Sequence, residues 1–415
     1  MNVVFITSYL FKINFIPFTY FFAQIQDLFL YPFIKQSFSV LYRKNNVIVR
    51  LICTMICFSY FHPMNGNLNL YPVASQRGKQ QVLAAALGII LFGYTNSSLP
   101  MWVAIFIMGL GATVTSVNTF KLVSNWFPSS HFPFMVGWTI VASIIGAVIG
   151  QPLTLLLIKK FGWTKVLINY GMVGILLALV FFLCIRDQNC RILPKPELFR
   201  LGASAKKVFK TPHNYLIALA FGLAIAPWLS FTGRWHDPFY TVVYHLSPKQ
   251  VSFINLIDLI TFAVGALFFA LYAQKLKKRK VLMASGVLGS LLFVCLIFYA
   301  PHLTFEGLAV LSGLASFFMS SVTLSYSLIR EGNSLYIAAT SIAMVTLSLA
   351  VLRFIGNHLI TWILTNASGK SIEKIFDYAT RDFQLGLTLL PVSLLLSFIC
   401  TIFIKETYGK QYFGE

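Results

Sequence analysis

Residues 186–213 read RDQNCRILPKPELFRLGASAKKVFKTPH, and the reading of this stretch decides the architecture. Arg186, Arg191, Lys195, Arg200, Lys206, Lys207 and Lys210 fall within it, and long apolar segments flank it on both sides. Short basic loops between apolar spans stay on the cytoplasmic side of a membrane. The stretch is therefore expected to be a cytoplasmic linker between two membrane-embedded halves. The plainer alternative is one ordinary loop among many.

The composition agrees with a membrane setting. The chain has 415 residues, of which 57% are hydrophobic and 11% charged, with mean hydropathy +0.76. A soluble domain carries about 25% charged residues. Apolar runs near the ~20 residues needed to cross a bilayer recur along the chain. They are continuous rather than alternating, which predicts helices and not a transmembrane barrel. The net charge of +20 sits mostly in loops. There it sets orientation and meets anionic membrane lipid, so no nucleic-acid partner is expected.

Outward from the linker, the sequence predicts an all-α polytopic protein of about twelve spans in two six-helix bundles. The first runs over Val3–Phe33, but Lys12, Asn14, Pro17, Gln24, Gln26 and Asp27 make it a poor lipid-facing helix. The second covers Val47–Leu70. Spans three to six cover Val82–Tyr94, Met101–Val123, Phe134–Ile158 and Val166–Ile185. Span seven covers Tyr215–Tyr244, with a polar break expected from Arg234 to Pro238. Spans eight to twelve cover Val251–Tyr272, Val281–Ala300, Leu308–Ile329, Tyr336–Leu364 and Leu385–Ile404. The domains expected are residues 1–185, the linker 186–213, residues 214–404 and a tail over 405–415. Gly146 and Gly150 have the GxxxG spacing of a close helix contact. A short repeat, Gln80-Gln81-Val82-Leu83 against Arg279-Lys280-Val281-Leu282, supports two related halves.

No signal cleavage pattern precedes the first span. The basic loops after spans two, six and eight place both termini in the cytoplasm and the protein in an inner membrane. The six cysteines suggest neither a disulfide framework nor a metal site, and Cys53 and Cys57 read as packing residues. Enzyme motifs are missing. Gly369-Lys370-Ser371 ends like a phosphate loop, but Leu364 stands where its first glycine belongs. No enzyme activity and no cofactor are expected.

One run resembles the major facilitator superfamily, in particular bacterial organic-anion and sugar-acid permeases. It passes from Gly109-Leu110-Gly111-Ala112-Thr113 through Asn125-Trp126-Phe127-Pro128 to Gly137, Gly146, Gly150-Gln151-Pro152, Gly162-Trp163 and Arg186-Asp187. Arg330-Glu331-Gly332-Asn333 is similar to a turn after span ten in some members. The resemblance implies two pseudo-symmetric bundles and alternating access driven by substrate and ion gradients. It also implies gating loops, matched here by Gly78 and Lys79 after span two and by Lys278 and Arg279 after span eight. The family's acid in these loops is replaced by Ser75 and Gln274. That departure motivates an alternative: a degenerate homologue acting as a non-transporting receptor or scaffold.

Ionisable residues inside spans are costly and mark candidate sites. Asp258 in span eight and Arg353 in span eleven lie at matched depth. They form an expected ion pair, or act separately, Asp258 on a coupling proton and Arg353 on a carboxylate. Arg234, His236 and Asp237 are candidates for substrate or proton handling, unless they are simply solvated at the outer mouth. Asn118 and Lys121 in span four join them, with snorkelling the alternative for the lysine. Ser321, Ser325 and Tyr326 offer hydroxyls to a polar ligand, unless the serines only pack helices. Asn357 shares a face with Arg353 at i+4. Together these predict a monomeric secondary transporter for a small, anionic solute, coupled to an ion gradient, with a proton as the ion.

Overall fold

In the computed structural model the described residues are 72–95, 100–101, 103–109, 119–120, 123, 130–184, 206, 208–300, 303–333, 337–369, 376 and 378–409. The first two predicted spans and most of the 186–213 linker lie outside them. The regular elements are helical throughout. The described residues fall into two compact units. One holds those within Val123–Ile144 and Leu198–Glu415, the other those within Asn14–Leu122 and Ile145–Glu197.

In the second of these units, α1 (Pro72–Tyr94) packs on α3 (Trp163–Cys184). Helix α1 begins about ten residues earlier than the apolar pattern predicts. The polar run over 76–81 is rich in Gln, Lys and Arg, all good helix formers, and it extends the helix instead of breaking it. The contact depends on glycine: a Cβ on Gly171 of α3 would overlap the Ile90 side chain of α1 and lie 3.0 Å from the Ala86 carbonyl oxygen. Helix α2 (Phe132–Phe161) crosses the unit boundary.

The larger unit contains the longest well-packed helices. Helix α4 (Pro212–Ser230) runs into a π-helical turn, Phe231–Trp235, and continues as α5 (His236–Val243). The predicted polar break is thus a widened turn within one continuous span. Its cause is local. Pro238 has no amide hydrogen to offer the carbonyl four residues back, and its ring crowds that carbonyl. The His236 amide reaches instead to the Phe231 carbonyl, five residues back.

Helix α6 (Pro248–Leu276) starts at a capping box, in which the Ser247 hydroxyl and the Gln250 side chain satisfy each other's backbone amides. Helix α7 (Arg279–Tyr299) follows after a left-handed Lys277. Span ten is α8 (Phe305–Met319), a 3₁₀ turn (Ser320–Leu324) and α9 (Ser325–Glu331). Serine and threonine hydroxyls drive that tightening by bonding back to the chain: Ser320 donates to the Phe317 carbonyl (2.6 Å) and Thr323 to that of Ser320 (2.7 Å). Helix α10 (Ala338–Ser368), α11 (Thr380–Leu387) and α12 (Leu389–Phe403) complete the unit.

Seven helices among the described residues are long and apolar enough to cross a bilayer. Their outer faces are greasy: Leu292, Val310, Phe354, Trp362 and Phe403 are all more than half exposed. Such surface is stable only in lipid. In lipid there is little hydrophobic gain from pairing helices, so association depends on close contact between small residues. Helix α8 packs between α6 and α7, and α4 between α10 and α12. A Cβ at Gly265 on α6 would overlap the Phe317 carbonyl, and one at Gly286 on α7 would overlap Ser321. These two glycines seat the 3₁₀ turn. Gly171, Gly265 and Gly286 are among the glycines where helices approach too closely for a side chain.

Candidate functional site

Two polar groupings flank the π turn of span seven. On one side, α5 presents His236, Asp237 and Tyr240 toward Asp258 of α6 and Ser312 of α8. His236 and Tyr240 are completely buried, Asp258 is 4% exposed and Ser312 is buried. The Ser312 hydroxyl donates to Asp258 Oδ1 at 2.6 Å, and the Tyr240 hydroxyl donates to Ser312 at a longer 3.4 Å. His236 Nε2 lies 3.9 Å from Asp258 Oδ2, and neither facing atom has a hydrogen-bond partner among the described residues. The other imidazole nitrogen, Nδ1, is 3.2 Å from Asp237 Oδ1, whose side chain is 52% exposed. One imidazole thus sits between a buried carboxylate and a half-exposed one. Aromatic edges from Phe231 and Tyr240 fix the ring in place.

On the other side of the turn, Arg353 of α10 lies against Gly233. A Cβ on that glycine would sit 3.3 Å from Arg353 Nη2, so the absence of a side chain makes room for the guanidinium. Arg353 and Arg234 are both half-buried, and Arg234 stacks over the Trp235 ring at 4.9 Å. One turn beyond Arg353, Asn357 has a buried side-chain carbonyl with no hydrogen-bond partner among the described residues.

The candidates therefore separate. Asp258 takes Ser312 and His236 as neighbours and makes no ion pair with Arg353, which lies against Gly233. His236 is buried rather than solvated, while Asp237 is open. The Ser321 hydroxyl donates to the Met283 carbonyl at 3.4 Å, and Ser325 reaches the Met283 sulfur at 3.3 Å, so both serines are engaged by α7. Tyr326 packs its ring edge on Phe221 of α4, 5.1 Å between centroids. Asn118 and Lys121 lie outside the described residues. Gly78 and Lys79 fall in α1, with side chains outside the described set.

The two gating-loop candidates after span eight differ from each other. Lys278 is exposed at the start of α7, but Arg279 is 1% exposed. Arg279 Nη2 donates to Glu331 Oε1 at 2.9 Å and its Nε to the same oxygen at 3.2 Å. Its Nη1 also donates to the Ala273 carbonyl, and the Thr407 hydroxyl donates to Glu331. Glu406 accepts from the backbone amides of Arg279 (2.7 Å) and Lys280 (2.9 Å) at the start of α7. The basic start of α7 thus meets one acid from span ten and one from the chain after α12. Nearby, Asn214 and Asn333 exchange side-chain hydrogen bonds at 2.9 and 3.3 Å, joining the start of α4 to the end of span ten.

Sequence reasoning misses Ser312 and Tyr240, because no local spacing connects three helices. The Arg330–Asn333 motif marks Glu331 and Asn333 but gives neither a partner. The signal available is an acid at a helix end, in a chain whose basic loop after span eight lacks its own.

Residues 81–235, which include the π turn, match the model of the Major Facilitator Superfamily. The architecture is similar to that of the transporter FucP in its outward conformation, with TM-score 0.61 and 14% identity over 96% of this chain and 99% of that one. The family match covers somewhat over a third of the chain's length.

The fold also resembles that of a variant of the E. coli fucose:proton symporter FucP, with TM-score 0.59 and 13% identity, covering 96% and 99% of the two chains. Two curated relatives are the probable L-galactonate transporter of Escherichia coli K12 and the hexuronate transporter of Bacillus subtilis 168. The first is 23% identical over 226 residues, 49% of each chain. The second is 24% identical over 229 residues, 53% of each chain. The chain thus spans about half the length of the curated relatives it matches. The relatives are transporters and not enzymes, as the missing enzyme motifs lead one to expect.

Proposed function

We infer that this chain is a transporter of the major facilitator type, a secondary transporter for a small sugar acid, carried by alternating access and coupled to a cation gradient. The observation that carries the reading is Arg353 seated against Gly233 on a π turn, on a helix that also bears Arg234. A guanidinium inside a span is expensive, and a solute carboxylate is the partner whose planar geometry it fits. Asn357 adds an unfilled carbonyl one turn away, suited to a sugar hydroxyl. Two curated relatives are named for galactonate and hexuronate, both sugar acids, and a fold neighbour is named a proton symporter. By the charge rule the protein sits in an inner membrane with both termini cytoplasmic. Arg279 paired with Glu331, with Glu406 on the backbone amides of Arg279 and Lys280, supports a structured loop after span eight and weighs against the non-transporting alternative.

The test is uptake of radiolabelled L-galactonate and D-glucuronate into proteoliposomes containing the full chain, with and without an inward proton gradient. Gradient-dependent uptake of either one, abolished in Arg353→Gln, is expected. Uptake of neither, or equal uptake by Arg353→Gln, overturns the assignment of a sugar acid to this site.

A further inference from the structure

We propose that Asp258 and His236 together form a single proton-binding site, loaded through Asp237. Three observations converge. First, the facing atoms, Asp258 Oδ2 and His236 Nε2, are both buried and both without a hydrogen bond among the described residues. Buried polar atoms left unpaired are costly, and a purely structural pair would close the gap. A separation of 3.9 Å is slightly beyond a hydrogen bond, and a small rotation of the ring closes it. Second, the remaining carboxylate oxygen is held by Ser312, so the carboxyl group is already oriented toward the imidazole. Third, the second ring nitrogen points to Asp237, which is half open to its surroundings. The buried site therefore has a route to the outside through one side chain.

The proton balance is simple. Asp237 takes a proton and passes it to His236 Nδ1, while Nε2–H is given up to Asp258 Oδ2. Asp237 is again a carboxylate, Asp258 is a neutral acid, and the imidazole is left as the other neutral tautomer; unloading runs both transfers in reverse, Asp258 returning its proton to Nε2 and Nδ1 returning its own to Asp237. One positive charge has entered, and apart from it only the tautomer differs. The titratable groups facing Asp258 from the elements packed on it are His236 and Tyr240 of α5. Ser312 of α8 supplies a hydroxyl, and no further charged side chain bonds Asp258 among the described residues. Neutralising Asp258 replaces a charge-assisted contact with His236 by a weaker neutral one and loosens α5 against α6, which is how occupancy would be felt along span seven at the π turn. The inference deepens the transport reading and rests on it only for what the proton drives.

The test needs no solute. Infrared difference spectra of the purified full chain in lipid nanodiscs are recorded between about pH 4 and about pH 9, the range over which carboxyl and imidazole groups titrate. A C=O band of a protonated carboxylic acid is expected in the wild type and lost in Asp258→Asn. In Asp258→Glu the band persists at a shifted frequency, which covers the case in which the asparagine variant does not fold. In His236→Gln the titration midpoint shifts by about one pH unit or more. In Asp237→Asn the band remains, but its hydrogen–deuterium exchange slows severalfold. A band unchanged in both Asp258 variants overturns the site. An unmoved midpoint in His236→Gln overturns the pairing, and unaltered exchange in Asp237→Asn overturns the entry route. If this band behaves as expected while galactonate and glucuronate uptake fails, the solute assignment falls and the proton site stands. Uptake without the band removes the proton site and leaves the solute assignment intact.

Discussion

Asp258 on one helix and His236 on another face each other across 3.9 Å, each completely or almost completely buried and neither facing atom bonded among the described residues. The hydroxyl of Ser312 is what keeps the carboxylate aimed across that gap. Replacing Ser312 with Ala removes the hydroxyl that donates to Asp258 Oδ1 at 2.6 Å. The expected loss is about 1–3 kcal/mol of stability, read as a lower melting temperature of the detergent-solubilised chain. An unchanged melting temperature would mean that Asp258 has another anchor.

The Arg279–Glu331 pair is buried on both sides, so each partner depends on the other. Glu331→Gln strands the arginine and is expected to cost about 3–5 kcal/mol, with poor yield and a strongly lowered melting temperature. The double variant Arg279→Met, Glu331→Met should recover most of that loss, because it removes both charges together. If the double variant melts as low as the sum of the two single variants, the pair is not coupled.

Helix contacts in lipid allow a direct comparison of glycines. Gly286→Ala places a methyl group into Ser321 and is expected to destabilise by about 1–3 kcal/mol. Gly356→Ala on α10 meets only the Ser230 hydroxyl, at an ordinary 3.9 Å, and should be neutral or slightly stabilising, since Ala favours a helix by roughly 1 kcal/mol over Gly. Thermal melts of the two variants side by side decide the matter. Equal effects would show that α7 and span ten do not touch as described.

Arg353 is tuned by what Gly233 lacks. In sugar-acid uptake, Gly233→Ala should weaken apparent affinity about tenfold, roughly 1.4 kcal/mol, by displacing the guanidinium a few tenths of an ångström. Arg353→Lys should do at least as much, because an ammonium cannot grip a carboxylate in two places. Concentration dependence of uptake in proteoliposomes gives both values. A wild-type affinity in Arg353→Lys would remove Arg353 from the binding site.

Much of the architecture is legible in the residue order. Continuous apolar runs near bilayer thickness announce the spans, since an unpaired backbone is intolerable in lipid and each run must satisfy itself as a helix. The positions of spans five to twelve follow from that alone, within a few residues at most ends. Asp258 and Arg353 are visible as costly charges for the same reason. Local chemistry misleads in two places. The polar run before Val82 looks like a loop but is helix, and the polar residues around Pro238 look like a break but form a π turn.

What the sequence by itself does not contain is partnership. That Asp258 meets His236 rather than Arg353, that Glu331 and Glu406 hold Arg279, and that Ser321 and Ser325 are spent on Met283 all depend on which helix faces lie together. Residue order determines each helix because backbone hydrogen bonding is local. Helix faces find one another through side-chain shape, at glycines such as Gly265 and Gly286 where two chains approach closely, and that fit is a property of the packed whole.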